Sequence, residues 1–446
     1  MFGTSGVRGP VGETITADLA VALGRAVATA GADRVVVGRD GRETGAVLQS
    51  ALAAGIRECG ADVVDVGVAA TPTVARSVGW RDADAGVVVT ASHNPPADNG
   101  FKFWTPSGRA FGETRRAEIE RIVDRAAYDR APWDAFGSLT RWEGATGAHV
   151  DALCDRVEVD PDLSVVVDVG NGTGRVTADA LTRLGASVET LNGQLDGRFP
   201  GRESEPTAES CRSLCRVVEA TDADLGIAHD GDADRAMAVD ETGAFVPGDV
   251  LLAVFALDAL ESGEEDADVV VTPVDASMAV EDAVRAAGGR VVRTRVGDVS
   301  VAERAADPDA AFGGEASGAW IWPAETLCPD GPLAACKLAE LVGRGPSLAD
   351  RRAAIDTYPI RRASVEVDDK GDRMRRVRER VRERYDEGDL TTLDGVRVDR
   401  GDGWFLVRAS GTQPLVRLTA EAREEARAAD LLVEARSLVE ETDEGA

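Results

Sequence analysis

The chain is predicted to be an α/β protein: three related α/β domains with mainly parallel, mixed sheets, followed by a small C-terminal α+β domain. Three observations predict it. Short Val-rich runs lead through Gly- or Asp-rich turns into Ala-rich amphipathic helices, the pattern of parallel strands covered on both faces. This pattern restarts at intervals of roughly 100–120 residues, with no clean sequence repeat. Composition shifts near Ile355, after which strands come first and one long helix comes last. A chain of 446 residues suits several domains of about 100–200 residues each.

In a first domain, 1–140, Arg34–Val37 reads as a strand, GRDGRETG as its turn and Ala46–Cys59 as the following helix. Asp62–Val66 and Gly86–Val89 read as further strands. The second domain, 141–241, has strands at Ser164–Val167, Ser187–Leu191, Leu225–Ala228 and Ala236–Val239, and a helix near Val176–Leu184. In the third, 242–350, strands at Asp268–Val271, Arg290–Arg293, Ala311–Phe312 and Trp320–Trp322 alternate with helices near Ala276–Ala287 and Val299–Ala305. The last, 351–446, has a strand at Tyr358–Val367 and a very basic helix at Gly371–Tyr385. A strand at Trp404–Val407 and a final helix at Ala422–Glu440 complete it. Linkers are expected near Trp133–Gly147 and Gly343–Ser347.

Asp and Glu number 79 against 50 Lys and Arg, a net charge of −29. That balance argues against generic nucleic-acid binding, which depends on cationic groups meeting phosphates, and against anionic membrane surfaces. A hydrophobic fraction of 43% excludes a disordered chain. Only three basic residues are lysines, Lys102, Lys337 and Lys370. An acidic, Lys-poor surface points to a halophilic host, since the Debye length falls to about 3 Å at 1 M salt and self-repulsion is screened. An acidic mesophile protein from a GC-rich gene is the alternative. The six cysteines form no CxxC pair, and Cys211 and Cys215 sit i, i+4 on a helix as buried thiols. With no targeting segment and no long uncharged apolar stretch, a soluble cytoplasmic protein is expected.

Four loops carry chemistry. In Val87–Pro96, running on to Lys102, Ser92 is hemmed by His93, Asn94 and Pro95–Pro96 at the end of a strand. Parallel sheets present ligands at such strand ends. Ser92 suits a covalent relay and Lys102 a proton carrier, which Arg cannot be near neutral pH. A Pro-rich loop with a capping Ser and a surface Lys is the other reading. In His229–Arg235, Asp230, Asp232 and Asp234 fall at i, i+2, i+4, a crowding that a cation relieves. A calcium loop also places ligands so, and Glu241 falls at its twelfth position, but Arg235 stands where it needs Gly. Mg²⁺ is therefore preferred; a solvated acidic turn is the alternative.

The third loop, Gly313–Trp320, offers Glu315 and Ser317 at alternate positions to sugar hydroxyls; a plain Gly-rich bend serves equally. In the fourth, Arg408–Pro414 with Arg417, hydroxyls and flanking arginines suit a dianionic phosphate, each charge-assisted hydrogen bond contributing roughly 1.5–3 kcal/mol. An ordinary turn is the alternative there. Together the four loops suit phosphoryl transfer between sugar oxygens, which is mostly positioning and charge neutralisation.

TASHNP, DGDADR, GEASG and RASGTQP, in that order, resemble the four active-site loops of the α-D-phosphohexomutase superfamily. FGTSGVRG at Phe2–Gly9, VGRDGRETG at Val37–Gly45 and RTRVGD at Arg293–Asp298 add to the match, which spans essentially the whole chain. The resemblance implies four domains around a central cleft and an intramolecular phosphotransferase acting on hexose phosphates. Ser92 is then carried as phosphoserine and a hexose 1,6-bisphosphate is intermediate and activator. One Mg²⁺ is held by Asp230, Asp232, Asp234 and an oxygen on Ser92, with Lys102, His93, Arg8 and Arg235 at the centre. Glu315 and Ser317 read the sugar, while Arg408, Ser410, Gly411, Thr412 and Arg417 grip the idle phosphate.

The RASGTQPLVRL segment is most similar to phosphoglucosamine mutase loops of an archaeal branch. Glucosamine 6-phosphate is the expected substrate, with a phosphomannomutase/phosphoglucomutase or phosphopentomutase as alternatives. Three departures are Gln413 for Glu, Asp98 for an aromatic residue and Ala319 for a His. The last favours, as another class, a catalytically silent sugar-phosphate-binding protein; a metal-dependent phosphatase is a third reading. The implied partner is a small-molecule sugar phosphate, with no nucleic acid or membrane, and the chain is a monomer or homodimer.

The acidic surface predicts that circular dichroism will show native helix content in molar salt and its loss in dilute buffer. Loss of structure on adding salt would contradict the halophile reading.

Overall fold

The computed structural model describes residues 1–3, 6–263, 266–410 and 414–440. The Val runs Val35–Val37, Val87–Val89, Val165–Val167 and Val269–Val271 are all buried, as β-branched side chains in doubly covered sheets should be. They form the centres of three mixed sheets with one shared core topology.

The first core runs Asp98–Trp104, Ala85–Val89, Arg34–Arg39, Asp62–Val68 across the sheet. The second runs Ala236–Asp240, Leu225–His229, Ser164–Asp168, Ser187–Leu191, and the third Ala319–Ile321, Ala310–Glu315, Val269–Pro273, Arg290–Thr294. In each, the chain enters at the third position, moves to the fourth, returns to the second and ends at the first. The first-written strand is antiparallel to its neighbour and the others are parallel. The first sheet gains Val7–Pro10 beside Asp98–Trp104 and Leu139–Arg141 beside Asp62–Val68.

The three expected chemical loops therefore occupy one position in the repeat. Each leaves the carboxyl end of the second-position strand, after Val89, His229 or Glu315, and turns into the antiparallel edge. The C-terminal sheet is antiparallel throughout, in the order Ile360–Glu366, Leu415–Ala422, Gly403–Ala409, Val396–Asp399, Leu390–Thr391. Helices Lys370–Arg384 and Glu425–Glu440 accompany it.

Three expectations are corrected. Asp98–Trp104 is a buried strand, so Lys102 lies on a strand and not in the Pro-rich loop; Asn99, Gly100 and Lys102 hide its apolar pattern. The stretch 133–147 is no plain linker: Leu139–Arg141 pairs with the first sheet, and helix Ala145–Cys154 begins within it. All three residues of that strand are exposed, so no hydrophobic signal marks it. The final helix starts at Glu425 instead of Ala422, because Ala422 closes the strand in which Val416, Leu418 and Ala420 are buried.

The second and third sheets share one apolar core, containing Val165, Ile227, Phe255, Phe312, Trp320 and Leu333. The first sheet and the C-terminal sheet have cores of their own. The C-terminal sheet meets the third mainly through Val274, Trp404 and Leu406 and through buried polar groups. There the Glu421 carboxylate accepts from Ser277 Oγ, from Met278 N at 2.8 Å and from Trp404 Nε1 at 2.6 Å. Arg397 donates to the carbonyls of Val274 and Ala276 at 2.6 and 3.4 Å.

A second buried network ties the first sheet to the others. Asp330 caps helix Gly331–Gly343 by accepting from Leu333 N at 3.0 Å, and also accepts from Arg76 Nε at 2.7 Å. His149 bridges Asp330 at 3.2 Å and Thr73 at 2.8 Å. Burial alone would raise the Asp330 carboxyl, but His149 and Arg76 hold it well below the usual carboxylate range. Asp330→Ala should lower unfolding stability by about 3 kcal/mol, because it strands a buried cation and removes a cap. The denaturation midpoint in urea reads the loss.

Candidate active site

Ser92 is buried and has φ +51°, in the left-handed region. For a residue with a Cβ such a conformation costs about 1–3 kcal/mol and persists only where its surroundings over-determine it. Arg42 does this. Its guanidinium donates to the carbonyls of Ser92 at 2.8 Å, Asn94 at 2.6 Å, Pro95 at 2.6 Å and Asp98 at 2.8 Å. Asp40 holds Arg42 in turn at 3.1 Å and accepts from Thr90 Oγ1 at 2.7 Å. Thr90 Oγ1 accepts from Ser92 N at 2.8 Å. Arg42 lies in the quoted VGRDGRETG motif, yet nothing in its spacing says that it organises the serine loop.

The acidic turn meets this loop directly. Gly231 permits the approach: a Cβ there would come within 2.9 Å of the Ser92 carbonyl oxygen. Ser92 Oγ donates to Asp230 Oδ2 at 2.5 Å. Asp232 Oδ2 accepts from Thr71 Oγ1 at 2.5 Å and Lys102 Nζ at 2.8 Å, while Asp234 Oδ2 also pairs with Lys102. Thr71 carries no sequence signal. His229 is structural: Nδ1 lies 2.8 Å from the Arg235 carbonyl, which can only accept, and Nε2 lies 2.7 Å from Thr177 Oγ1. Burial lowers its pKa to about 4.

Candidate ligand oxygens of Asp230, Asp232 and Asp234 all lie within 4.8 Å of one another, and all three residues are buried. Asp232 Oδ1 and Asp234 Oδ1 accept no hydrogen bond. Buried carboxylate oxygens left bare are costly, and an oxygen-preferring divalent cation satisfies them. The donor set therefore fits such an ion. Burial and the neighbouring aspartates raise Asp230 well above the usual carboxylate range and raise Asp234 too. Asp232 goes the other way: burial opposes its charge, but Lys102 outweighs it. Burial alone would lower Lys102, yet the aspartates hold its pKa above the ordinary lysine value. Lys102 is buried, against its reading as a surface lysine.

Ser92, His93, Arg8, Asp234, Arg235, Glu315 and Ser317 line one cleft of about 760 Å³. Lys102, Asp230 and Asp232 are buried beneath it through the contacts above. Burial, then Arg235 and Arg8, push the His93 pKa down to about 2, so its imidazole is neutral. Ala319 also lines this cleft. Since His149 and His229 are locked in structural bonds, His93 is the one histidine facing it. Arg408 and Arg417 are direct partners across the C-terminal sheet and line a second cavity of about 550 Å³ with Ser364 and Arg362. Ser410 N donates to Leu415 O at 2.9 Å beside them. Gly411, Thr412 and Gln413 lie outside the described residues. Asp275 and Arg362, neither singled out by sequence, line both cavities.

Models of the phosphoglucomutase/phosphomannomutase α/β/α domains I, II and III match residues 1–130, 146–243 and 247–358, and that of the C-terminal domain matches 362–438. The chain belongs to the phosphoglucomutase/phosphomannomutase family. Membership makes it a phosphohexomutase, an isomerase. It is 47% identical over 436 residues, 96% of this chain and 95% of that protein, to a "Probable phosphoglucosamine mutase" of Methanopyrus kandleri. A like-named protein of Methanosarcina acetivorans is 43% identical, with 95% of each covered. The crystal structure of a family member from Burkholderia thailandensis superposes with a TM-score of 0.86 at 28% identity, covering 98% of both chains. Among the described residues no helix is long and apolar enough to cross a membrane.

The surroundings of Glu315 predict a pH dependence. Burial, then Asp298, raise its pKa to about 7, although Gly297 N–H donates to it at 2.7 Å. As pH rises through about 7 the acid becomes a carboxylate able to accept from ligand hydroxyls. The kcat/KM for a sugar phosphate should therefore rise through neutrality, and Glu315→Gln should flatten that limb of the pH profile.

Proposed function

We propose that the protein is a phosphoglucosamine mutase, interconverting glucosamine 6-phosphate and glucosamine 1-phosphate through phospho-Ser92 and glucosamine 1,6-bisphosphate. The observation that carries this reading is Ser92 Oγ set against Asp230 at the floor of the family's cleft. The relatives named above support the amino sugar. In the first half-reaction the bond from Ser92 Oγ to phosphorus breaks as the free sugar hydroxyl oxygen bonds to that phosphorus. The hydroxyl proton leaves to a base. In the second half-reaction Ser92 Oγ takes the phosphoryl group from the other sugar oxygen, which recovers a proton.

Lys102 is the proton carrier in this scheme. Asp230, Asp232, Asp234 and an oxygen on Ser92 would hold Mg²⁺, whose positive charge offsets that of the phosphoryl oxygens when bound. Lys102 must then share Asp232 and Asp234 with a second cation, which loosens its grip on its proton. Arg8 and Arg235 add positive charge around the reacting group, and neutral His93 adds a hydrogen-bonding edge without more charge. Glu315 and Ser317 read the sugar hydroxyls. Arg408, Ser410, Gly411, Thr412 and Arg417 clamp the idle phosphate, and the domain ranges 1–140, 141–241, 242–350 and 351–446 are part of the same proposal.

Ser92→Ala should cut turnover by at least about a thousandfold while calorimetry still shows sugar-phosphate binding. Retained activity would defeat the phosphoserine scheme. A panel of glucosamine, glucose, mannose and ribose phosphates, each with its 1,6- or 1,5-bisphosphate, tests the sugar. The amino sugar should show the highest kcat/KM, and a lead for another sugar would reassign the substrate.

A further inference from the structure

Asp275 follows the strand Val269–Pro273 and is exposed at the junction of the two cavities. On one side of it lie Arg408 and Arg417; on the other lie Glu315 and Ser317. A hexose 1-phosphate presents a matching order of groups along its ring. The phosphate is on C1, the next substituent on C2, and hydroxyls follow on C3 and C4. With the phosphate among the arginines and the two hydroxyls at Glu315 and Ser317, the C2 substituent falls between them, at Asp275. In glucosamine 1-phosphate that substituent is an ammonium group.

The other acidic groups of the cleft are placed differently. Asp249 accepts from Ser277 N at 3.0 Å, Glu315 accepts from Gly297 N, and Asp298 lies toward Phe2 and Lys102. None of those three lines the arginine cavity. We propose that Asp275 is a specificity-determining residue that selects an amino sugar by pairing with its C2 ammonium when the 1-phosphate occupies the arginine cavity. The proposal rests on the amino-sugar reading of the preceding section. Surrounding protein raises the Asp275 pKa, with Arg408 and Arg362 opposing and Asp394 adding to the rise. An ammonium ion seated beside the carboxylate favours its charged form.

The selection depends on orientation. With a 6-phosphate in the arginine cavity the ring is turned, C5 and C4 follow the phosphate, and C2 points away from Asp275. Glucosamine 1-phosphate and glucose 1-phosphate are therefore the discriminating pair, assayed with the Mg²⁺-loaded full-length enzyme and the matching bisphosphate. Asp275→Asn should lower kcat/KM for glucosamine 1-phosphate about tenfold, the scale of one charge-assisted hydrogen bond, and leave glucose 1-phosphate within about twofold. Asp275→Glu, which keeps the charge, should restore most of the preference. An equal fall for both sugars, or an unchanged ratio in Asp275→Asn, would overturn the proposal. Failure of the unaltered enzyme to turn over glucosamine phosphates would overturn the amino-sugar reading itself, before any variant is made.

Discussion

Three buried carboxylates in a five-residue turn repel one another, and much of the surrounding structure exists to hold them together. Asp230 and Asp232 are fully buried and Asp234 nearly so, so each needs a donor or a cation. The second domain supplies few. The first domain supplies the hydroxyls of Ser92 and Thr71 and the ammonium of Lys102. Docking the two domains thus also brings the acidic cluster its donors. Two carboxylate oxygens are still left bare, which fits the cluster to a divalent cation.

The repeated sheet core explains how such a centre can be built from distant segments. Each unit ends its second-position strand in a turn that reverses into an antiparallel edge, and each turn carries its own polar groups: Ser92 and His93, the three aspartates, and Glu315 with Ser317. A topology used three times delivers three turns to one cleft. The shared apolar core of the second and third sheets keeps two of them in fixed relation. The C-terminal sheet is joined by a smaller apolar contact and the bonds of Glu421 and Arg397, and it brings the arginine cavity to the edge of the cleft.

Much of this was readable from the chain. Val-rich runs flanked by Gly and Asp marked the central strands because burial on both faces leaves no polar positions to blur the pattern. Leu139–Arg141 is defined by pairing alone, and in Asp98–Trp104 the buried Asn99, Gly100 and Lys102 break the apolar pattern that Phe101, Phe103 and Trp104 would otherwise show. Ser92, the three aspartates, Glu315 and Ser317 stand out because their chemistry is compressed into short turns. Arg42, Thr71, Asp275 and Arg362 do not. Arg42 and Thr71 bond to residues far along the chain, and Asp275 and Arg362 line cavities shared with distant segments; an isolated Arg, Thr or Asp in an Arg-rich acidic protein carries no mark of that.

The sequence by itself determined the α/β class, the family, and the residue types available for phosphoryl transfer, because these depend on local periodicity and on motifs of a few residues. Tertiary structure decided what each group experiences. Lys102, read as a proton carrier, lies buried in an ion pair with two aspartates; Ser92, read as a loop serine, is held in a left-handed conformation by one distant guanidinium. Charge state, backbone strain and the adjacency of two cavities arise from groups brought together across domains. Spacing along the chain cannot encode them, since the energies depend on distances in space.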